Sequence, residues 1–144
     1  MLDSQRAWSL AVTLVFGLGW HGCTSLPETS RTTVVVHDIE LAEKLSVDNI
    51  LVQPGDEVRW INYRKSAVLV KVPRLDTDNL SCQRGFTNWM GSLGDVARLE
   101  ANETASLCFN KTGVIDFAVR AETSLGGGEQ ILPGIIRVGS PLAQ

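Results

Sequence analysis

Three cysteines, two histidines and scattered carboxylates are the residues of this 144-residue chain best suited to chemistry. Cys23, Cys82 and Cys108 could ligate a metal, exchange electrons or close a bridge. No two of them form a Cys-x-x-Cys pair, and no neighbouring histidine or basic helix start stands ready to lower a thiol pKa. His37, Asp38 and Glu40 have the types for a weak metal site, although a polar strand end is the plainer reading. Glu122 and Glu129 flank Gly126-Gly127-Gly128 and could form a carboxylate pair for hydrolysis. Nothing in the sequence sets their separation, so they read as solvated loop charges. The glycine triplet lacks the strand-to-helix setting of a phosphate loop and reads as a flexible hairpin tip. There is no Gly-x-Ser-x-Gly and no Ser/His/Asp set, so the sequence points away from an enzyme.

Lys+Arg 13 against Asp+Glu 16 leaves a formal net charge of -3 with no basic run, which argues against nucleic acid as a partner. Apolar residues at 44% exclude a disordered chain, and the length suits one domain. Residues 7–20 (AWSLAVTLVFGLGW) form an uncharged apolar run behind Arg6. As a helix this run spans about 21 Å, short of the roughly 30 Å hydrocarbon core. Residues 1–22 therefore read as a secretory signal peptide. Gly22-Cys23 resembles a bacterial lipoprotein signal, in which a small residue precedes a cysteine that is lipidated after cleavage. The resemblance implies lipidation of Cys23 and a lipid bilayer as partner. Residues 23–32 (CTSLPETSRT) then read as a polar tether.

An exported chain meets an oxidising compartment, where two remaining cysteines tend to close. Cys82 and Cys108 are expected to form a disulfide around a 27-residue loop, worth roughly 3–4 kcal/mol in the chain-entropy picture. The rival reading is a redox-active or metal-binding thiol pair. With residues 1–22 removed, His37 is the only histidine left, and catalysis by an imidazole base is nearly excluded.

The elements that must position these residues read as strands. Val34-Val35-Val36, Asn49 to Val52, Val58 to Asn62, Ala67 to Val72, Thr104 to Phe109, Ile115 to Arg120 and Ile135 to Val138 are β-branched, aromatic or alternating. Pro54-Gly55-Asp56, Gly113 and Pro133-Gly134 mark turns, and Arg64-Lys65-Ser66 suggests a hairpin into 67–72. The pattern predicts an all-β, Greek-key β-sandwich of about seven or eight strands over residues 33–139, followed by a tail at 140–144. Residues 74–95 lack a strand period. Phe86, Trp89, Met90 and Leu93 recur at helical spacing, so a short helical or irregular insertion is expected there as a packed lid.

The string Ile50 to Asn62, with Pro54-Gly55-Asp56 leading into Val58-Arg59-Trp60-Ile61-Asn62, resembles the second and third strands of a cupredoxin. Leu99 to Val119 resembles that family's later hairpin, and Gly134 to Val138 its final strand. The resemblance covers roughly residues 33–139 and implies the cupredoxin sandwich. It also says where the copper ligands of a family member stand: a His shortly after the Trp-x-Asn strand, then Cys, His and Met between the last two strands. Here those stretches are Tyr63 to Val68 and Ala121 to Gln130, and neither holds any such ligand. The fold is expected without type-1 copper, so no cofactor is expected. The expected role is a non-enzymatic, periplasm-facing envelope lipoprotein that binds another envelope protein through the lid or the glycine loop. Two alternatives stand beside it. One is a copper or electron-transfer protein with an atypical site from His37, Met90 or the thiols. The other is an immunoglobulin-like adhesion or assembly module.

Overall fold

A computed structural model describes residues 34–123 and 127–139. The sites expected at Cys23 and Gly126, the signal, the tether and the C-terminal tail lie outside the described residues. Nine strands follow in order: β1 Val36–Leu41, β2 Asn49–Val52, β3 Glu57–Asn62, β4 Val68–Lys71, β5 Leu80–Arg84, β6 Val96–Leu99, β7 Thr104–Phe109, β8 Gly113–Glu122 and β9 Glu129–Val138. They form an all-β sandwich of two sheets, one in the order β1-β3-β7-β5 and the other β2-β9-β8-β4-β6. Both sheets are mixed, because β1 runs parallel to β3 and β2 parallel to β9. No helix among the described residues is long and apolar enough to cross a membrane.

The period-2 alternation read from the sequence is what closes the sandwich. Along β3, Val58, Trp60 and Asn62 are buried while Glu57, Arg59 and Ile61 are half-exposed. Ile39 and Leu41 on β1 and Ala105, Leu107 and Phe109 on β7 join them on the inner face. Opposite lie Val68, Val70, Ala97, Leu99, Phe117, Val119, Ala121, Ile136 and Val138. Trp60 sits in the middle and meets the rings of Phe86 and Phe117 edge-on, with centroids 5.5 and 5.6 Å away. Its Nε1–H is a buried donor without a hydrogen-bond partner.

Several expectations are corrected by the structure. The 63–67 turn does not close a hairpin. β3 already has β1 and β7 on its two edges, so the chain must leave that sheet and β4 enters the other one. The chain in fact changes sheet at every connection up to β8, and only β8 and β9 form a hairpin of consecutive strands. This order also removes the immunoglobulin-like alternative, in which the first two strands share a sheet.

Pro133-Gly134 is not a turn either, since β9 runs straight through it. Pro133 lacks an N–H, but its place needs none. Two residues on, the Ile135 N–H donates to Asp48 O beside the start of β2, and β2 does not extend as far as Pro133. Gly134 is required because the Phe117 ring lies across it from the paired position on β8. A Cβ there would stand 2.2 Å from the ring.

Residues 74–95 contain no helix beyond a single 3-10 turn at Thr77–Asn79. They contain β5 instead, an edge strand with a bulge between Leu80 and Cys82 and mostly exposed polar side chains. An edge strand of this kind buries little of either face, so it shows no period. Phe86 and Leu93 do pack on the core, but the antiparallel Thr87–Leu93 bridge brings them together rather than a helical turn. Trp89 and Met90 are left at the tip of the loop. The count of seven or eight strands becomes nine among the described residues, with β5 inside this region and β6 directly after it.

Cys82 lies opposite Cys108 in the β5–β7 register, and the two form a disulfide with Cα atoms 4.9 Å apart. The bridge ties the polar edge strand to the inner strand beside it. Replacing both cysteines by serine should lower unfolding free energy by about 3 kcal/mol in the chain-entropy picture, read from urea denaturation. Gly134→Ala should cost about 1–3 kcal/mol by forcing the Phe117 ring away from Trp60, and a neutral result would show that the ring moves freely.

Candidate functional site

The two stretches that carry copper ligands in the family resembled by the sequence do meet at one end of this sandwich. What stands between them is an arginine. Asn62, the last residue of β3, is completely buried. Its Nδ2 donates to three carbonyls, Ser66 O at 3.0 Å, Leu99 O at 3.1 Å and Glu100 O at 3.0 Å. Its Oδ1 accepts from the Arg64 N–H at 2.9 Å. The backbone of Asn62 bonds to Asn102 and Glu103 across the turn before β7. One side chain therefore sets the shape of the 63–67 turn and joins it to β6.

That shape turns the Arg64 side chain inward. Arg64 is 9% exposed, and its guanidinium donates from Nη1 to Ala42 O at 2.6 Å and from Nη2 to Glu122 O, the last residue of β8. The residue that follows β1, the β3–β4 turn and the end of β8 are thereby laced together by one cation. The hairpin itself is closed by Thr123, whose N–H and Oγ1 donate to Gly128 O and whose Oγ1 accepts from the Gly128 N–H. A cavity of about 560 Å³ opens beside Arg64, between Ala42, Tyr63, Lys65 and Glu122. Arg64 was visible in the sequence only as a turn boundary. The Asn62-Tyr63-Arg64-Lys65 string carried no signal that one of its two cations would be buried.

The remaining candidates are dispersed. Alternation puts His37 and Asp38 on opposite faces of β1. His37 Nε2 lies 3.0 Å from Asp56 Oδ2, and Asp38 pairs with Arg59 through two bonds of 2.8 and 2.9 Å on the outer face. Glu40 shares the Asp38 side, and its N–H takes Ser46 Oγ as acceptor. Met90 is on the exposed loop tip, and the two thiols of Cys82 and Cys108 are joined to each other. Among the described residues no three His, Cys, Asp or Glu side chains come together as a metal-binding group. Glu122 and Glu129 are directly opposite in the β8–β9 register, but both are exposed and Glu129 turns to Arg120 at 3.9 Å.

Asp56 belongs to the other end of the sandwich. Burial pushes its carboxyl up. This is outweighed by the Gln53 N–H, His37 and the Val35 N–H together, which hold it below the ordinary value of 3.8. The Pro54-Gly55-Asp56 turn of the sequence is thus the device that ties the entry of β1 to the start of β3. Asp38 is also held low, chiefly by the hydrogen bond from Arg59.

No family description matches the sequence, and no curated protein matches it. Solved structures do. The chain is similar to a reduced tryptophan-to-tyrosine mutant of amicyanin at 16% identity and TM-score 0.46, covering 72% of this chain and 82% of that one. It is also similar to a methionine-to-alanine mutant of amicyanin described as Cu(I), at 19% identity and TM-score 0.42, covering 74% and 82%. The Cu(I) is that second protein's, and this chain's own residues decide its chemistry.

Asn62→Ala leaves several buried carbonyls and the Arg64 N–H unsatisfied and should cost about 3 kcal/mol or more. Asn62→Asp keeps the acceptor but aims a carboxylate oxygen at three carbonyls, and should cost at least as much by the same urea measurement. Because the Asp56 pKa is lowered by folding, the stability it adds is complete above the ordinary carboxylate value. It is lost as pH falls through the lowered one. Urea midpoints followed from pH 7 to pH 3 should fall below about pH 4. Asp56→Asn should start lower at neutral pH and flatten that decline.

Proposed function

We propose that this chain is a non-enzymatic envelope lipoprotein, anchored through Cys23 and facing the periplasm. Its cupredoxin-like sandwich acts as a binding or accessory module for another envelope protein, without type-1 copper. The observation that carries the binding role is Trp89. It is 92% exposed, with Met90 66% exposed beside it, on a loop that hydrogen bonds hold in shape. Asn88 Oδ1 accepts from the N–H groups of Met90 and Ser92, each at 3.0 Å. The Asn88 N–H donates to Ser92 O, and the Gly91 N–H to Asn88 O. A large aromatic side chain fully in water gains on burial, and a loop already ordered loses little entropy on docking. The copper-free part of the reading is supported by Arg64, whose cation stands between the two stretches where ligands would be needed. The envelope location is supported by the resemblance of the first 23 residues to a lipoprotein signal.

Three measurements test this reading. Intact mass of the membrane-extracted protein should show Cys23 as the first residue, carrying acyl mass. Copper titration should give neither a stoichiometric complex nor an intense visible band, and finding either would sink the copper-free assignment. Trp89→Ala should change stability by less than about 0.5 kcal/mol. It should also abolish a defined cross-link to one envelope protein from a cysteine probe at the neighbouring exposed Ser92, which a cysteine probe at the exposed Arg98 site should not form. An Ala variant that keeps the cross-link overturns the loop as the docking surface.

A further inference from the structure

We propose that the cavity beside Arg64 is a binding site for a mono-anionic carboxylate carried on an apolar body. The proposal rests on the copper-free reading of this end of the sandwich and concerns a surface other than the Trp89 loop. Buried guanidinium groups are normally matched by a carboxylate, because taking the charge out of water is costly. Arg64 is nine-tenths buried, and its acceptors are the neutral carbonyls of Ala42 and Glu122. No ion pair reaches it among the described residues. Two of its five N–H donors are thus used, and its Nε has no protein acceptor among the described residues. The cavity of about 560 Å³ beside it falls within the usual size of small-ligand sites. The planar fork of an arginine matches a carboxylate in two parallel hydrogen bonds.

The rest of the lining selects among anions. Lys65 adds a second cation at the rim, and the half-exposed Tyr63 ring adds an apolar wall. Glu43 and Glu122 also line the cavity, so the four charges sum to zero. A dianion such as phosphate is repelled by both glutamates, whereas a single carboxylate meets Arg64 with the smallest excess of negative charge.

Benzoate serves as the probe, titrated into the purified full chain by calorimetry and by backbone NMR. Inorganic phosphate at matched ionic strength is the second arm. Benzoate should bind one to one, with shifts confined to residues 63–66 and 122–123 and to Ala42. Arg64→Lys keeps the charge but removes the fork, and should weaken binding by at least about tenfold. Lys65→Glu reverses an exposed rim charge without touching the hydrogen-bonded turn. It should also weaken binding, so the test survives if the Arg64 variant fails to fold. The proposal is overturned if benzoate does not saturate, if phosphate binds as tightly, or if Lys65→Glu leaves the affinity unchanged. Copper uptake in the titration of the preceding subsection sinks the copper-free reading, whereas absent benzoate binding with no copper uptake sinks this site alone.

Discussion

The burial of Asn62 is the interaction on which the functional end of the molecule depends. It stands where β3 leaves its sheet, and its amide reaches the turn ahead of β4 and the last carbonyls around β6 in one step. A buried amide is tolerated because all its hydrogen-bonding groups are engaged, and a half-satisfied one would cost more than an apolar residue of the same size. Once Asn62 has fixed the turn, the Arg64 backbone is pinned through its N–H and the side chain has one direction to take. The cation then holds the residue that follows β1 and the end of β8 through their carbonyls. An apolar residue at position 62 could fill the space but could not orient the turn.

The alternating sheet assignment of β1 to β8 imposes a second constraint. Nearly every contact between neighbouring strands is made by residues distant in sequence, which makes edge strands depend on outside support. β5 receives it from the Cys82–Cys108 bridge and from Phe86, which enters the core just beyond it. Gly85 makes that entry possible: its φ of +81 turns the chain inward, and a Cβ there would come within 2.8 Å of the Ala105 Cβ. The chain then has only the short stretch 87–93 in which to return, so Trp89 is pushed outward while Phe86 and Leu93 are drawn in.

The inward and outward faces of β3, β7 and β8 could be read directly from residue types, because alternation is a property of each strand alone. The same holds for Pro54-Gly55-Asp56, where local backbone preference and the observed turn agree. The helical spacing of Phe86, Trp89, Met90 and Leu93 misled for a definite reason. Four apolar residues at that spacing can satisfy a helix or two ends and a tip of a pinned loop, and the Thr87–Leu93 bridge selected the second. Pro133-Gly134 misled similarly, since a turn signal is overridden where one neighbouring strand is missing and an aromatic ring needs the space above the glycine.

By itself the sequence determined the fold class, the inward residues, the expected pairing of Cys82 with Cys108, and the absence of copper-ligand types at the two expected stretches. The first two follow from period and residue type, the third from an expected export, and the last from the family resemblance, none of which needs a partner in space. Only the tertiary structure decided which sheet each strand joins, that β5 exists, and that Arg64 stands where the two stretches converge. The reason is physical: an arginine in a turn costs nothing when solvated, and nothing local says that it will be buried. Its burial is decided by carbonyls from Ala42 and Glu122, residues 22 and 58 positions away, which only the closed sandwich brings within reach.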